Sequence, residues 1–468
     1  MMIREIFLRK KISAAAVAGI TALVFLCGTV FAQGEISPEK KLKLTPQDRV
    51  LILAPHPDDE VIGCGGIIQK SVDMKLPLKI VFLTYGDNNQ WSFLLYRKHP
   101  VLMPKSVRLM GQVRHGEAEN AAKILSVAPE QLVFLGYPDF RTLNIWYSHW
   151  GKSSSARSMF TKVTAVPYDN AYRPGALYKG GEILKDITDI IRDFKPTKIF
   201  VSHPADHNPD HRSLYLFTRV ALWDLKKETD PEIYPYLVHF KKWPKPYGLH
   251  PAAPLNPPDF LADKNSWSVL PLTENETGLK LAALKEHRSQ YKSSRKYLLS
   301  FIRANELFGD FPPVELKPEK NEVSLLPPDG TSEEEMPEEL LDEERAQFVG
   351  IEEEFLGMNK SCLVFTLKLS RPLGKEAGVS LYLFGYKKDV PFAQMPKIHV
   401  KFGMIEHKVF DQNKKLPLDA IEVDRKAKKI TIRVPLELLG TPDYILTSAR
   451  TYTGAVPLDW IAWRVLEL

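Results

Sequence analysis

From Arg49 to about Phe308, short runs of apolar residues alternate with stretches whose apolar positions recur near every 3.6 residues. Val50–Leu53, Leu78–Leu83, Gln131–Leu135 and Lys198–Ser202 are the runs; Val61–Ser71, Arg114–Leu125 and Ile183–Phe194 carry the helical spacing. Strands without polar alternation, separated by helices, predict a parallel sheet covered on both faces. The expected fold is therefore α/β, a Rossmann-like open parallel sheet over residues 49–314. Such sheets place their sites on the loops beyond the carboxyl ends of the strands. No phosphate-binding glycine loop follows any of the four runs, which leaves a nucleotide site unsupported.

The pattern changes twice more. Pro318, Pro327, Pro328, Asp329 and Gly330 precede a run from Thr331 to Glu354 with eleven acidic residues and one basic one, Arg345. Proline beside a block of one charge reads as a linker or solvated face, placed at 315–348. Beyond it, Cys362–Leu367, Val379–Phe384, Ile398–Phe402, Ala420–Val423 and Ile430–Val434 read as strands divided by turn residues. With no long helical pattern between them, residues 349–468 predict an all-β sandwich.

At the other end, residues 1–32 have the form of an export signal. Arg4 to Lys11 form a net basic region, Ile12 to Val30 carry no charge, and Val30-Phe31-Ala32 offers a small-residue cleavage site. An uncleaved anchor is the competing reading, since a run of that length just spans a bilayer. Residues 33–48 then lead into the first strand, and an exported, periplasmic or secreted protein is expected, with no membrane association beyond the signal. The signal segment also carries half of the net charge of +6 in a chain of 468 residues. What remains is no polyanion-binding signature, so nucleic acid is not an expected partner. Past the signal only Cys64 and Cys362 remain, which excludes a disulfide framework.

Two clusters carry chemistry. Directly after the first run comes His56-Pro57-Asp58-Asp59-Glu60. Adjacent carboxylates in a dry loop resist joint ionisation, and a divalent metal removes the conflict. One Asp would bind it beside His56; the other would accept a proton. Pro57 stiffens the loop so that His56 and Asp59 turn one way and Asp58 another. Directly after the fourth run comes His203-Pro204-Ala205-Asp206-His207-Asn208-Pro209-Asp210-His211. Pro209 suits a first helical turn, which sets His211 over the same crevice. Two His and one carboxylate with open positions is the donor set of hydrolytic zinc sites. Taken singly, the first cluster reads as a capped turn and the second as a helix cap with solvated histidines. Their shared position after parallel strands favours a site.

His56-Pro57-Asp58-Asp59-Glu60 with Gly63, Gly65 and Gly66, and the later Asp-His cluster, resemble the PIG-L/LmbE family of metal-dependent N-deacetylases. Thr84-Tyr85-Gly86-Asp87, Arg114, Glu117, Leu135–Asp139, Lys285, His287, Ser289, Gln290, Arg303, Glu306 and Phe308 extend the likeness over about Arg49–Phe308. The resemblance implies one zinc ion per chain, held by His56, Asp59 and His211, with Asp58 as base. It also implies removal of acetyl from an N-acetylated sugar or glycan. The family commonly has His where this chain has Asn208, so the partner for the oxyanion is either Asn208 or, through a one-residue bulge, His207. A zinc amidase acting on a non-sugar N-acyl compound is an alternative, as is a glycan-binding protein with a degenerate hydrolase domain. Trp91, Trp146 and His149-Trp150 are candidates for a sugar-stacking cleft or for packing. Val434–Gly440 and Leu458–Arg464 resemble sandwich domains of the family 9 carbohydrate-binding type, in which Trp460 and Trp463 either stack on sugars or seal the core.

Overall fold

The computed structural model describes residues 40–88, 103–317, 323–325 and 340–468. The proposed signal, Trp91 and residues 331–339 of the acidic run lie outside the described residues. Among those described, no helix is long and apolar enough to cross a membrane.

The α/β region comprises β1 (Lys40–Lys41), β2 (Val50–Ala54), α1 (Asp59–Asp73), β3 (Leu78–Thr84), α2 (Pro104–Ile124), β4 (Leu132–Tyr137), α3 (Thr142–Ser148) and α4 (Gly180–Phe194). It continues with β5 (Lys198–Ser202), α5 (Pro209–Asp224), β6 (Glu232–Tyr236), β7 (Ser266–Pro271), α6 (Glu274–Glu286), α7 (Arg288–Leu299) and β8 (Asn305–Asp310). The sheet order is β1-β7-β8-β6-β5-β2-β3-β4. From β6 to β4 every pairing is parallel, and β8 alone runs against its neighbours β6 and β7. β2 and β5 are buried along their whole length, as unalternating apolar strands must be when helices cover both faces. Glycine lets α1 lie close to its neighbours: a Cβ at Gly63 would sit 2.4 Å from the Tyr236 ring, and one at Gly66 2.3 Å from Leu272.

The sandwich has two sheets. One is β10 (Val323–Ser324), β11 (Ile351–Asn359), β12 (Cys362–Leu369), β18 (Lys429–Pro435) and β17 (Glu422–Lys426). The other orders β16 (Lys414–Leu416), β15 (His407–Asp411), β14 (Lys397–Phe402), β13 (Ala377–Tyr386), β19 (Tyr444–Thr453), β21 (Arg464–Glu467) and β9 (Val314–Glu315), with β20 (Val456–Trp460) on β19. The segment expected as a strand from Ala420 enters its sheet at Glu422, after a short turn over Leu418–Ala420. Alternate residues fill the core: Leu363, Phe365 and Leu367 of β12 face Val434, Ile432 and Ile430 of β18 in register.

β13 is buried on both faces. Val379, Leu381 and Leu383 enter the sandwich core, whereas Tyr382, Phe384 and Tyr386 join a core built by β2, β3, α4 and α5. Trp146 of α3 sits in that shared core, stacked on Phe384 and Phe392 at ring distances of 5.6 and 5.4 Å. Tyr147 stacks on Tyr382 at 4.3 Å, and Tyr386 donates a 3.0 Å hydrogen bond to Asp224. Trp146, Trp150 and Trp463 are therefore packing residues, fully buried between the sheets.

Candidate metal centre

β2 and β5 are hydrogen-bonded neighbours running the same way, so the loops that leave their carboxyl ends emerge side by side. That pairing brings together motifs 150 positions apart. In the first loop, the chain turns from Pro57 into α1 through Asp58, whose φ of 129° lies where L-residues are rarely found. Asp59 and Glu60 then occupy the first helical turn, where the helix dipole favours carboxylates. In the second, Asn208 caps α5 by accepting from the Asp210 amide at 2.9 Å, and Pro209 opens the helix.

His56, Asp59 and His211 converge. Asp59 Oδ2 is 3.1 Å from His56 Nδ1 and 3.1 Å from His211 Nε2. The far side of each ring faces other carboxylates. His56 Nε2 lies 3.1 Å from Asp139 and 3.2 Å from Asp210, and Asp210 is itself fixed by the amides of Phe140 and Thr142. A proton at Nε2 leaves the Nδ1 lone pair directed at Asp59, the orientation that carboxylate-held metal histidines adopt. His211 Nδ1 is 3.2 Å from Asp206, which also accepts from the amides of Val238 and His239.

The donor set fits zinc. Ligands about 2.0–2.2 Å from a tetrahedral ion lie roughly 3.3–3.6 Å from one another, close to the spacing seen. His211 Nε2 is buried with no well-directed hydrogen bond, an orphan that an ion would satisfy. The electrostatics ask for positive charge as well. Burial disfavours a charged His211, yet Asp206 and Asp59 push its pKa up to about 9. For His56 burial is likewise outweighed, by Asp139, Asp210 and Asp59, and its pKa rises well above the ordinary value. Burial opposes ionisation of Asp59, but His211 and His56 hold it well below the carboxylate range.

Asp58 stands apart from this triad. Its Oδ1 accepts from Arg114 at 3.2 Å and its amide donates to Glu60 at 2.9 Å. Burial raises its pKa to about 6, against the pull of Arg114. The surrounding motif residues are braces: Glu60 to His287 (2.8 Å), Glu117 to Ser289 (2.6 Å), and Glu306 to the Gly66 amide (2.7 Å) and Lys280 (2.7 Å). Cys64 is a buried free thiol in α1.

A pocket of about 190 Å³ lies over these groups, lined among others by His56, Asp58, Asp59, Arg114, Asn208 and His239. Asn208 reaches it, although its side-chain oxygen is committed to the helix cap. His207 does not line it; its ring packs on Phe240 and Trp460 at 5.1 and 4.9 Å. Burial lowers its pKa to about 4. The residue that sequence reasoning passed over is His239, three positions past β6, because it stands alone in the sequence. Its Nδ1 is 3.2 Å from Asp206, and its ring meets His211 edge to face at 4.6 Å. The one available signal was its place just after a strand of the sheet.

Residues 51–222 match the family model described as PIG-L: GlcNAc-PI de-N-acetylase. The 1D-myo-inositol 2-acetamido-2-deoxy-alpha-D-glucopyranoside deacetylase 1 of Saccharopolyspora erythraea is 25% identical over 183 residues, 38% of this chain and 55% of its own length. The deacetylase of the same description from Kribbella flavida is 25% identical over 305 residues, 57% of this chain and 90% of its own. For three of the curated relatives the match spans no more than 56% of their length. Among solved structures, the N,N'-diacetylchitobiose deacetylase from Pyrococcus horikoshii has a TM-score of 0.34 and 21% identity, covering 56% of this chain and 82% of that one.

Proposed function

From the match of residues 51–222 to the PIG-L family model and the geometry of the site, we propose that the protein is an exported zinc-dependent hydrolase that removes an N-acetyl group from an N-acetylated sugar or glycan. The observation that carries this reading is the convergence of His56, Asp59 and His211 on one point, with the outer nitrogen of each ring beside a buried carboxylate. Zinc bound there would supply a Lewis acid and lower the pKa of a water towards neutrality. Asp58 accepts the proton of the attacking water, because its carboxylate is the one beside the triad that the ligands leave uncommitted. Arg114 fixes that carboxylate and keeps it aimed at the pocket. His239, its Nδ1 beside Asp206, lines the pocket and donates a proton to the departing amine, the proton taken by Asp58 then restoring it, while Asn208, which lines the same pocket, stands beside the oxyanion. Water and amide thus give acetate and a free amine.

The test is a screen of zinc-loaded protein on N-acetylated saccharides beside non-sugar acyl amides, with freed amine and acetate as readouts. Acetate in equal yield with amine from the saccharides is expected. Turnover confined to the non-sugar amides would move the substrate class, and no turnover on any would end the reading.

A further inference from the structure

The pocket over the triad opens into a much larger groove of about 1080 Å³, the two sharing Phe140, Asn208, His239 and Tyr297 as lining. One wall of that groove is the segment after β6, with Tyr247 and Phe260; the other is the sandwich, with Trp460 on β20. Exposed apolar side chains gathered on one surface, unlike single scattered ones, mark binding grooves. Among the described residues four Phe, Tyr or Trp side chains are exposed, and three of them, Phe140, Tyr247 and Phe260, line this groove. Trp460 adds a half-buried ring, steadied by Arg212 at 5.2 Å.

Resting on the deacetylase reading, we propose that the groove between the α/β region and the sandwich holds the sugar units of an N-acetylated oligosaccharide or polysaccharide beyond the one being deacetylated. The volumes set the division. The inner pocket has room for one reacting unit, whereas the groove is more than five times larger and continuous with it. Pyranose rings carry an apolar face that packs on aromatic rings, which accounts for the chemistry of the lining better than a purely polar ligand does. A monosaccharide or small amide leaves the groove unused. The sandwich is therefore part of the substrate site through Trp460, and not a remote tether.

The experiment measures kcat/KM of the zinc-loaded full chain for N-acetylglucosamine oligomers of increasing length, in wild type, Tyr247→Ala/Phe260→Ala and Trp460→Ala. Two exposed positions are paired because their truncation leaves the core untouched. The wild-type value is expected to rise at least about tenfold from one unit to four, and each variant to erase most of that rise. A rise of unchanged steepness in both variants, or no rise in a wild type that does turn over the single unit, overturns the groove. Binding of the tetramer to the same proteins is read in parallel by calorimetry. If nothing is deacetylated, the functional reading fails, and the groove still stands or falls on whether the variants bind the tetramer at least about fivefold more weakly.

Discussion

Buried charge is handled in opposite ways in the two regions of the molecule. Around the metal centre, many buried ionisable groups meet an opposite one: Arg114 with Asp58, His287 with Glu60, Lys280 with Glu306, His211 with Asp59 and Asp206. In the sandwich, Glu354 is fully buried and neither carboxylate oxygen has a hydrogen-bond partner. Lys397 is equally buried; it donates to the carbonyls of Phe392 and Met395 and lies over the Phe392 and Trp150 rings. A network of opposite charges holds its members ionised and in place, ready for chemistry. An isolated buried charge instead shifts its pKa until it is neutral near pH 7. The contrast separates groups that can serve a reaction from groups that only tax folding.

The largest effect expected from breaking the paired region is at Asp59, the carboxylate common to both histidines. Asp59→Ala should lower zinc content, measured on purified protein, from near one ion per chain to almost none, and turnover should disappear with it. Asp58→Asn comes next: about 10²–10⁴-fold lower kcat with zinc content unchanged, since an amide keeps the shape but accepts no proton. Zinc loss in Asp58→Asn with retention in Asp59→Ala would falsify the assignment of the pair.

The shared core between the regions is probed by Trp146→Ala, expected to cost about 3–5 kcal/mol in urea unfolding. Because Trp146 touches both regions, they should still unfold in one transition; two well-separated transitions in the wild type would show that the common core does not couple them.

The smallest effects come from the unpaired charges, and their signs differ. Burial lowers the Lys397 pKa to about 7, so above that pH the unfolded chain, whose lysine titrates near 10.4, holds the extra proton. Stability should therefore rise from about pH 7 towards 10, and Lys397→Met should flatten the rise. Burial raises the Glu354 pKa to about 7, so here the folded chain holds the extra proton above the ordinary glutamate range. Stability should fall between about pH 4.5 and 7, and Glu354→Gln should remove that decline. Identical pH profiles in wild type and both variants would mean that these groups find partners in solution.

Much of this architecture was legible beforehand. Unalternating Val50–Leu53 and Lys198–Ser202 read as strands covered on both faces, which places a motif after each at the sheet's carboxyl edge. β6, β7 and β8 were less visible, because Glu232–Tyr236 carries a proline and a glutamate and the antiparallel β8 mixes Asn, Glu and Gly among its apolar residues.

Local order along the chain therefore determined the two regions, the candidate metal-ligand types and the helix cap at Asn208. Such features depend on residues within a turn or two of each other, where periodicity and spacing speak directly. The tertiary structure alone decided three things. It turned His207 onto Trp460 and carried the solitary His239 from the end of β6 to Asp206. It also laid β13 against the α/β helices. Both faces of β13 are buried, but burial is non-directional, and nothing in a strand's own residues says which surface will cover its second face.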